Sequence, residues 1–338
     1  MNQQRLLNEV SKEYRKVARI KECFHHNKDE CKGKIKQAHS IQKSGKLSIL
    51  ESEINGNLQV YSFTSASQTK QNIVEELIPI GKKVASVFFG FCDYHDSKLF
   101  SEIENNEFNQ TDEHLFLHSY RSFAHSYHQK NEEIKAWKSK GSDYYSIIEN
   151  AYGKEAVELR NQQFLFLEDQ LEKRKAILDE SISNKKYDNL DYLFCEFDGV
   201  VPIATAGLIT PYSTYSNKVM NNNDNVNFKL SQPIFTLLPG KERSLLIIAA
   251  FNYDELSIEF IDELDEFPNY KFERALSSII IDSCQNTIIS LKFWDNLEAK
   301  ARRLILNEYS VVSVQNWEKP KIFKSKFNFF KRKYFLKT

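Results

Sequence analysis

The sequence predicts an α+β protein: an N-terminal unit leads into a long helical hairpin, followed by a mostly antiparallel sheet with C-terminal helices. Two observations carry this class. Apolar residues recur at helical spacing over long stretches before residue 188 and again after residue 254, whereas short β-prone runs bounded by turn residues occupy 189–251. Apolar residues make up 41% of the 338-residue chain, which is enough to bury a sizeable core.

The first 110 residues mix helical and β patterns. Helical spacing covers 2–22, and β-prone runs at 47–50 and 58–63, around Asn55-Gly56-Asn57, predict a hairpin. A strand is predicted at 84–91, and a helix should begin near His95.

Two long helices are predicted next, at about 112–138 and 153–184, and they could pair as an antiparallel hairpin. Thr111 can cap the first helix, and Gly141-Ser142 interrupts the helical pattern. The remaining predicted elements form two groups, first strands and then helices. Strands are predicted at 193–197, 200–209, 228–238 and 245–251, and helices at about 254–264, 270–283 and 293–309.

Neither the net charge of the chain nor its N-terminal sequence indicates a binding partner. Lys+Arg and Asp+Glu both number 46, so any electrostatic argument has to be local. Residues 1–10 carry no apolar signal segment, and no run reaches the length of a membrane span. We therefore expect a cytoplasmic protein without a membrane span. Thiols stay reduced in that compartment, so clustered cysteines indicate metal binding rather than disulfides.

Cysteine and histidine are concentrated near the N-terminus. Three of the five cysteines and all eight histidines precede residue 130. A structural zinc ion takes four such ligands in a tetrahedron, as pairs from two loops. Cys92 and His95 follow a predicted strand and precede a predicted helix, the arrangement of a treble clef. The predicted zinc ligands are Cys23, Cys31, Cys92 and His95.

Alternatives remain for this group. His25 or His26 could replace Cys31 in the first pair, since the Cys23–Cys31 spacing is wide. Cys92 could instead be a small buried apolar residue and His95 an ordinary helix-start residue. Cys195 and Cys284 lie inside apolar patterns and are predicted to be inert core residues.

The segment Ala38-His39-Ser40-Ile41, with the later Cys92–Asp96 segment, resembles the HNH or ββα-metal nucleases. The resemblance implies that His39 is the general base and that Asp96 replaces the helix histidine as ligand of a catalytic Mg²⁺ or similar ion. It implies a metal-dependent nuclease that acts on nucleic acid. The alternative is a non-catalytic zinc-stabilised binding or sensor module, and His39 could also be a zinc ligand.

The same segments, together with Tyr120-Arg121-x-Phe123-Ala124, are similar to uncharacterised bacterial proteins. That similarity implies a context of phage defence, in which a partner protein of a defence system is possible. It implies no oligomeric state.

A polar stripe runs along the first long helix. Its members are spaced by three or four residues and therefore share one face: His114, His118, Arg121, His125 and His128. The stripe could be a metal or phosphate surface, but a polar face turned to solvent is the favoured interpretation. Arg121 is the member predicted to bind nucleic acid, because a guanidinium binds phosphate bidentately.

The last twenty residues are basic and aromatic. Lys331, Arg332 and Lys333 are predicted to contact nucleic-acid phosphates while nearby aromatic rings stack on bases. An equally weighted alternative docks the aromatic rings on the core, and a less favoured one places the tail on an anionic membrane surface.

Other chemistry is weakly signalled. Asp191, Glu196 and Asp198 could hold Mg²⁺, although solvation at a strand end is favoured. Phosphate-loop, dinucleotide-binding and nucleophile-elbow motifs are absent from the sequence. We divide the chain into an HNH-like zinc domain, a helical hairpin, an α+β domain and a tail: 1–110, 111–188, 189–318 and 319–338.

Overall fold

The computed structural model describes residues 3–68, 74–221, 229–313 and 328–330. The N-terminal helix α1 (Gln3–Ala18) is followed by an extended segment with a short 3-10 turn at Lys28–Glu30. Strand β1 (Ile35–His39) then begins a further set of short elements. This set comprises a π-helical turn at Lys43–Leu47, α2 (Ser48–Leu50), β2 (Ser52–Ile54), β3 (Asn57–Gln68), β4 (Val74–Gly81), β5 (Val87–Cys92) and α3 (Asp93–Asn105).

The predicted hairpin around Asn55-Gly56 is confirmed, but its first strand is β2 (Ser52–Ile54), whereas the run 47–50 predicted to be β-prone lies in the π-helical turn and α2. Strands β2 and β3 pair antiparallel, with Ile54 opposite Asn57. Asn55 and Gly56 have φ angles of 50° and 76°, as a two-residue type I′ turn requires.

Three helices form the middle of the chain: α4 (Asp112–Trp137), α5 (Asp143–Tyr152) and α6 (Lys154–Asn184). Thr111 caps α4, as predicted, by accepting a hydrogen bond from the N–H of His114. The rings of Trp137 and Phe164 lie 5.8 Å apart, whereas Tyr127 bonds Glu172, farther along α6. The contact nearer the end of α4 is thus the one nearer the start of α6. The two helices are therefore antiparallel, as predicted.

The described residues after Asn184 form five strands and four helices. They are β6 (Leu190–Asp198), β7 (Ile203–Leu208), β8 (Ile234–Leu238), β9 (Arg243–Phe251), α7 (Glu255–Asp265), α8 (Asn269–Ser283), β10 (Thr287–Ile289), α9 (Leu291–Asn296) and α10 (Ala299–Ser313). The α+β class, with antiparallel sheets and C-terminal helices, is confirmed.

The larger sheet joins the two ends of the chain. Its strand order is β2-β3-β10-β7-β8-β9-β6, with β4 on β3. In β10, Ile288 lies opposite Ser62 of β3 on one side and Ala204 of β7 on the other. The predicted parts 1–110 and 189–318 therefore share a sheet, and the division of the chain into four parts stays a prediction.

Helix α4 lies against this sheet and is buried along most of its length. Ser126 Oγ accepts a hydrogen bond from the N–H of Leu208 at 2.8 Å, and the hydroxyls of Ser122 and Thr236 lie 2.6 Å apart. On other sides α4 contacts α3, β5 and α6. Within the described ranges, no helix combines the length and apolar character needed to cross a membrane.

Candidate metal centre

Cys23, the first of the four predicted zinc ligands, is held by its neighbour Phe24 beside the two-stranded sheet of β1 and β5. The N–H of Phe24 donates to the carbonyl of Gly90 in β5 at 2.6 Å. The Phe24 ring is buried against Phe91 and Tyr120, at centroid distances of 5.9 and 5.2 Å. These contacts hold the extended segment after α1 beside β5, and Cys23 is 3% exposed.

The second position, Cys31, follows the 3-10 turn and is brought to the start of α3 by backbone bonds. The N–H groups of Asp93 and Tyr94 donate to the carbonyls of Lys34 and Lys32 at 3.0 and 3.3 Å. Gly33, between these lysines, has a φ of +78°, a conformation that glycine adopts without strain.

The third and fourth positions are set by the end of β5 and the first turn of α3. Cys92 is the N-cap of α3, where its Sγ accepts the N–H of His95 at 3.4 Å. Both side chains are buried. Cys92 also lies opposite Ile35 of β1, so the strand pair ends at the group of cysteines.

The four side chains meet the geometric demands of one metal ion. Their candidate ligand atoms all lie within 4.8 Å of one another. His95 Nδ1 is 3.4, 3.6 and 3.3 Å from the sulfurs of Cys23, Cys31 and Cys92. A zinc tetrahedron with Zn–S of about 2.3 Å and Zn–N of about 2.0–2.1 Å has an S···N edge of about 3.6 Å. The donor set therefore fits a structural metal ion.

Burial and mutual proximity shift the pKa values of the three thiols. Burial raises the pKa of Cys23, and burial followed by the Cys23 charge raises the pKa of Cys31 to about 12. Burial also acts to raise the pKa of Cys92, but hydrogen bonds from the N–H groups of His95 and Lys32 outweigh it and lower this pKa. A bound cation would favour ionisation of all three thiols.

Two further histidines lie beside the group without joining it. The His25 ring stacks on His95 at 3.9 Å, and the His26 ring stacks on His25 at 4.4 Å. His25 Nδ1 accepts the N–H of Asn27. Among the described residues, the group whose candidate ligand atoms converge contains Cys31 rather than His25 or His26. Burial, then the charges of His95 and His26, lower the pKa of His25 to about 4.

The two predicted catalytic residues lie on the same ββα unit. His39 ends β1 opposite Val87, and its Nδ1 is 3.0 Å from the carbonyl oxygen of Ala85. Asp96 lies in the first turn of α3, where burial raises its pKa and the Arg121 charge acts in the opposite direction. Their catalytic roles stay predictions.

The expectation that the histidine stripe of α4 faces solvent is wrong. Every member is buried, at 8% exposure or less: His114, His118, Arg121, His125 and His128. The sequence showed an amphipathic helix, but α4 is covered on its polar side as well, by α3, β5 and the sheet. Arg121 lies 2.5 Å from Glu104 Oε1, and its role in nucleic-acid binding stays a prediction.

The remaining candidates divide between described and undescribed residues. Asp191 and Glu196 lie on opposite faces of β6, and Glu196 forms an ion pair with Arg243 at 3.2 Å. Lys331, Arg332 and Lys333 lie outside the described residues.

Sequence reasoning missed Gly33. A Cβ at this position would lie 2.6 Å from Asp93 Oδ2, so only glycine lets the segment after Cys31 approach the start of α3. A glycine two residues after a candidate ligand was a readable signal of such a close turn.

Comparison with protein-family models, with curated proteins and with solved structures finds no match to this chain. The fold and the site define its class: an α+β protein with a Cys3His group, buried at three of its four residues, that could hold one metal ion.

Proposed function

We propose that Cys23, Cys31, Cys92 and His95 bind one zinc ion that stabilises a treble-clef-like unit. The observation that carries the proposal is the convergence of all four ligand atoms within 4.8 Å, with S···N distances near those of a zinc tetrahedron. Four protein ligands fill the coordination sphere, and closed sites of this kind are structural rather than catalytic.

Metal analysis of the purified chain tests this proposal. We expect about one zinc per chain. Cys92→Ser should lose the zinc and lower the midpoint of thermal unfolding, because metal-binding free energy is folding free energy at such sites. Cys195→Ser, which changes a cysteine outside the group, is the matched control and should keep the zinc. A folded wild-type chain that holds no zinc after expression with the metal would refute the site.

We further propose that the zinc-stabilised unit belongs to an HNH-type nuclease acting on nucleic acid in bacterial phage defence. Support comes from the order of elements: a cysteine pair, strand β1, strand β5 antiparallel to it, and helix α3 starting at the second ligand pair. This is the order that the ββα resemblance implies.

In this proposal His39 is the general base and Asp96 holds a catalytic divalent ion. The Nδ1 contact with the Ala85 carbonyl favours a proton on Nδ1, which makes Nε2 the basic nitrogen. Asp96 is partly buried beside Arg121, and a desolvated carboxylate gains from a cation. A bound Mg²⁺ would polarise the phosphate, while His39 would accept a proton from the attacking water.

Cleavage assays on plasmid DNA and on RNA with Mg²⁺ or Mn²⁺ test the nuclease. His39→Ala should lower the rate by about 10²–10⁴ while zinc content and thermal midpoint stay unchanged. His26→Ala, which alters a histidine next to the metal group, should cleave like the wild type. Loss of zinc in His39→Ala would make His39 a structural residue.

A non-catalytic binding or sensor module is the second candidate. His39 lies at the Val87 end of the strand pair, whereas Asp96 follows Cys92 at the other end. The separation of His39 and Asp96 along the β1–β5 strand pair favours this candidate. Nucleic-acid binding by the wild type without cleavage under any divalent ion would select it over the nuclease.

A further inference from the structure

The short segment that follows α1 lies along α4 and is fixed there by its backbone. The carbonyl of Arg19 accepts a hydrogen bond from the Lys135 ammonium at 2.8 Å, and the N–H of Ile20 donates to Glu132 Oε1 at 2.9 Å. These bonds use main-chain groups of the segment. The side chains of Arg19 and Lys21 are therefore not needed to hold it, and both residues are exposed.

Arg19 and Lys21 converge on one aromatic ring of β5. The Arg19 guanidinium carbon lies 4.8 Å from the centroid of the half-buried Phe89 ring, and Lys21 Nζ lies 5.1 Å from the same centroid. Both distances are within the range of a cation–π interaction. The two positive charges are therefore no more than about 10 Å apart, close to one Debye length in about 0.1 M salt, and repel each other. An anion that contacts both would relieve this repulsion.

The charges around the ring do not balance. Three exposed cations form what we call the basic cluster: Arg19, Lys21 and Lys135. In the described part of the chain none of the three forms an ion pair. The adjacent acid Glu22 pairs with Lys28 at 3.4 Å, and Glu132, whose carboxylate already accepts a backbone N–H, can offset one charge at most. The cluster therefore keeps a net positive charge that attracts a polyanion.

The Phe89 ring places the basic cluster on the face of the β1–β5 pair that carries His39. Phe88 points toward α4, where its ring lies 5.3 Å from the His125 ring. Side chains alternate along a strand, so Val87 and Phe89 point the other way, onto what we call the outer face. His39 lies opposite Val87 and shares that face. Diagonal neighbours of this kind lie about 7–8 Å apart, so Phe89 and His39 are close.

We propose that Arg19 and Lys21 bind neighbouring phosphates of a nucleic-acid strand that crosses the outer face past His39. The inference deepens the proposed function and rests on it for the nucleic acid. A guanidinium binds a phosphate bidentately, and an ammonium adds a point charge. The Phe89 ring holds both cations near their positions in the complex, which lowers the cost of ordering them on binding. Contacts to phosphates alone carry no sequence preference.

Fluorescence anisotropy of the zinc-loaded full chain with a labelled single-stranded oligodeoxynucleotide, at several salt concentrations, tests this surface. We expect Arg19→Gln/Lys21→Gln to weaken binding about tenfold or more near 0.1 M salt. The slope of log Kd against log salt should fall by about 1.4, since each lost phosphate contact contributes about 0.7 on a single strand. Lys241→Gln/Lys300→Gln removes the same charge from two exposed lysines elsewhere and should change neither quantity.

Each outcome decides the proposal. Equal affinity and salt slope in the wild type and Arg19→Gln/Lys21→Gln overturn it, as does failure of the wild type to bind the oligonucleotide at millimolar concentration. If the double variant loses zinc, Lys21→Gln replaces it and should show about half the change in slope. Binding to vesicles of anionic phospholipid without binding to the oligonucleotide would assign the basic cluster to a membrane surface and overturn the proposal.

The failure of this inference can be told apart from the failure of the nuclease. Wild-type protein that binds the oligonucleotide through Arg19 and Lys21 but cleaves nothing would remove the nuclease and leave the phosphate contacts standing. Cleavage that depends on His39 and is unaffected by Arg19→Gln/Lys21→Gln at subsaturating substrate would keep the nuclease and overturn the outer-face path of the strand.

Discussion

At the residue scale, Gly33 determines whether the two halves of the metal group can meet. A side chain at Gly33 would be strained by the positive φ and would also clash with Asp93. Gly56 has nearly the same φ, +76° against +78°, but a Cβ there would meet nothing within 4 Å. Comparing alanine substitutions at Gly33 and Gly56 therefore separates the free-energy cost of the positive φ from the cost of the steric clash with Asp93.

We expect Gly56→Ala to lower the free energy of unfolding by about 1 kcal/mol, the cost of the left-handed conformation. Gly33→Ala should lose more, about 2–4 kcal/mol, because the new methyl group displaces Asp93 and loosens the ligands. Urea unfolding of the zinc-loaded proteins measures both, and competition with a chelator measures zinc affinity. Equal losses in the two variants would contradict a steric role for Asp93.

The sequence predicted the four clustered residues because thiol and imidazole are rare and their local spacing is informative. It could not predict the environment of Arg121. Whether a cation on an amphipathic helix or turn meets solvent depends on which element covers it, and α3 covers Arg121. Local sequence carries little of that information.

At the scale of elements, α4 approaches the sheet more closely than large side chains would permit. A Cβ at Gly207 in β7 would lie 2.8 Å from Ser126 Oγ, and that hydroxyl accepts the N–H of Leu208. Ser119, two turns earlier, bonds only the Leu115 carbonyl of its own helix in the described structure. Serine thus has two different roles on one helix.

Ser126→Ala should destabilise the protein by about 1–3 kcal/mol, since the N–H of Leu208 loses its acceptor. Ser119→Ala should change stability by no more than about 0.5 kcal/mol, because its hydroxyl competes with a bond already made within the helix. Denaturant midpoints of the two variants give the comparison. A cost for Ser119→Ala as large as that for Ser126→Ala would argue against the helix–sheet bond.

The buried stripe of α4 also predicts a pH dependence. Burial, followed by the charge of His128, lowers the pKa of His125 to about 3 from its ordinary value of 6.5. Below pH 6.5 the His125 imidazole therefore binds a proton in the unfolded chain but not in the folded chain. Stability from His125 is present above that pH and is lost as pH falls through 6.5 toward 3.

His125→Leu should therefore make the loss of stability between pH 6.5 and 5 less steep, by up to about 1.4 kcal/mol per pH unit. Urea midpoints at several pH values measure the slope for wild type and variant. Zinc release at low pH affects both proteins and cancels in the difference. Parallel slopes would show that His125 is not held neutral.

Periodicity predicted the long helices well because tens of residues contribute to each pattern. Strand β10 was missed, since three residues carry almost no pattern and its place depends on partners far away in the chain.

At the scale of the whole molecule, the C-terminal part of the chain returns to the core. Phe329 and Phe330 are buried, and the N–H of Phe329 donates to Ser277 Oγ at 3.1 Å. The rings of Phe330 and Phe197 lie 4.6 Å apart. The docked-aromatic alternative therefore holds for these two residues, and a test of the basic tail has to spare them.

Deletion of 331–338 removes Lys331, Arg332 and Lys333 and keeps both anchoring rings. We expect weaker nucleic-acid binding and a shallower dependence of affinity on salt, since fewer counterions are released. Deletion of 319–338 should in addition lower the thermal midpoint, because two buried aromatic side chains are lost. Unchanged affinity and salt slope in the shorter deletion would assign the tail no part in binding.

The pairing of β3 with β10 has a consequence for the order of synthesis. Tyr61 lies opposite Ile289 in the sheet. One edge of β3 therefore stays unpaired during synthesis until the much later strand β10 has been made. At roughly 5–20 residues per second, translation leaves that edge without its partner for about 10–50 s. Residues 23–95 emerge much earlier, so a metal ion could close the first unit on the ribosome while the sheet beside it is still open to chaperones or to aggregation.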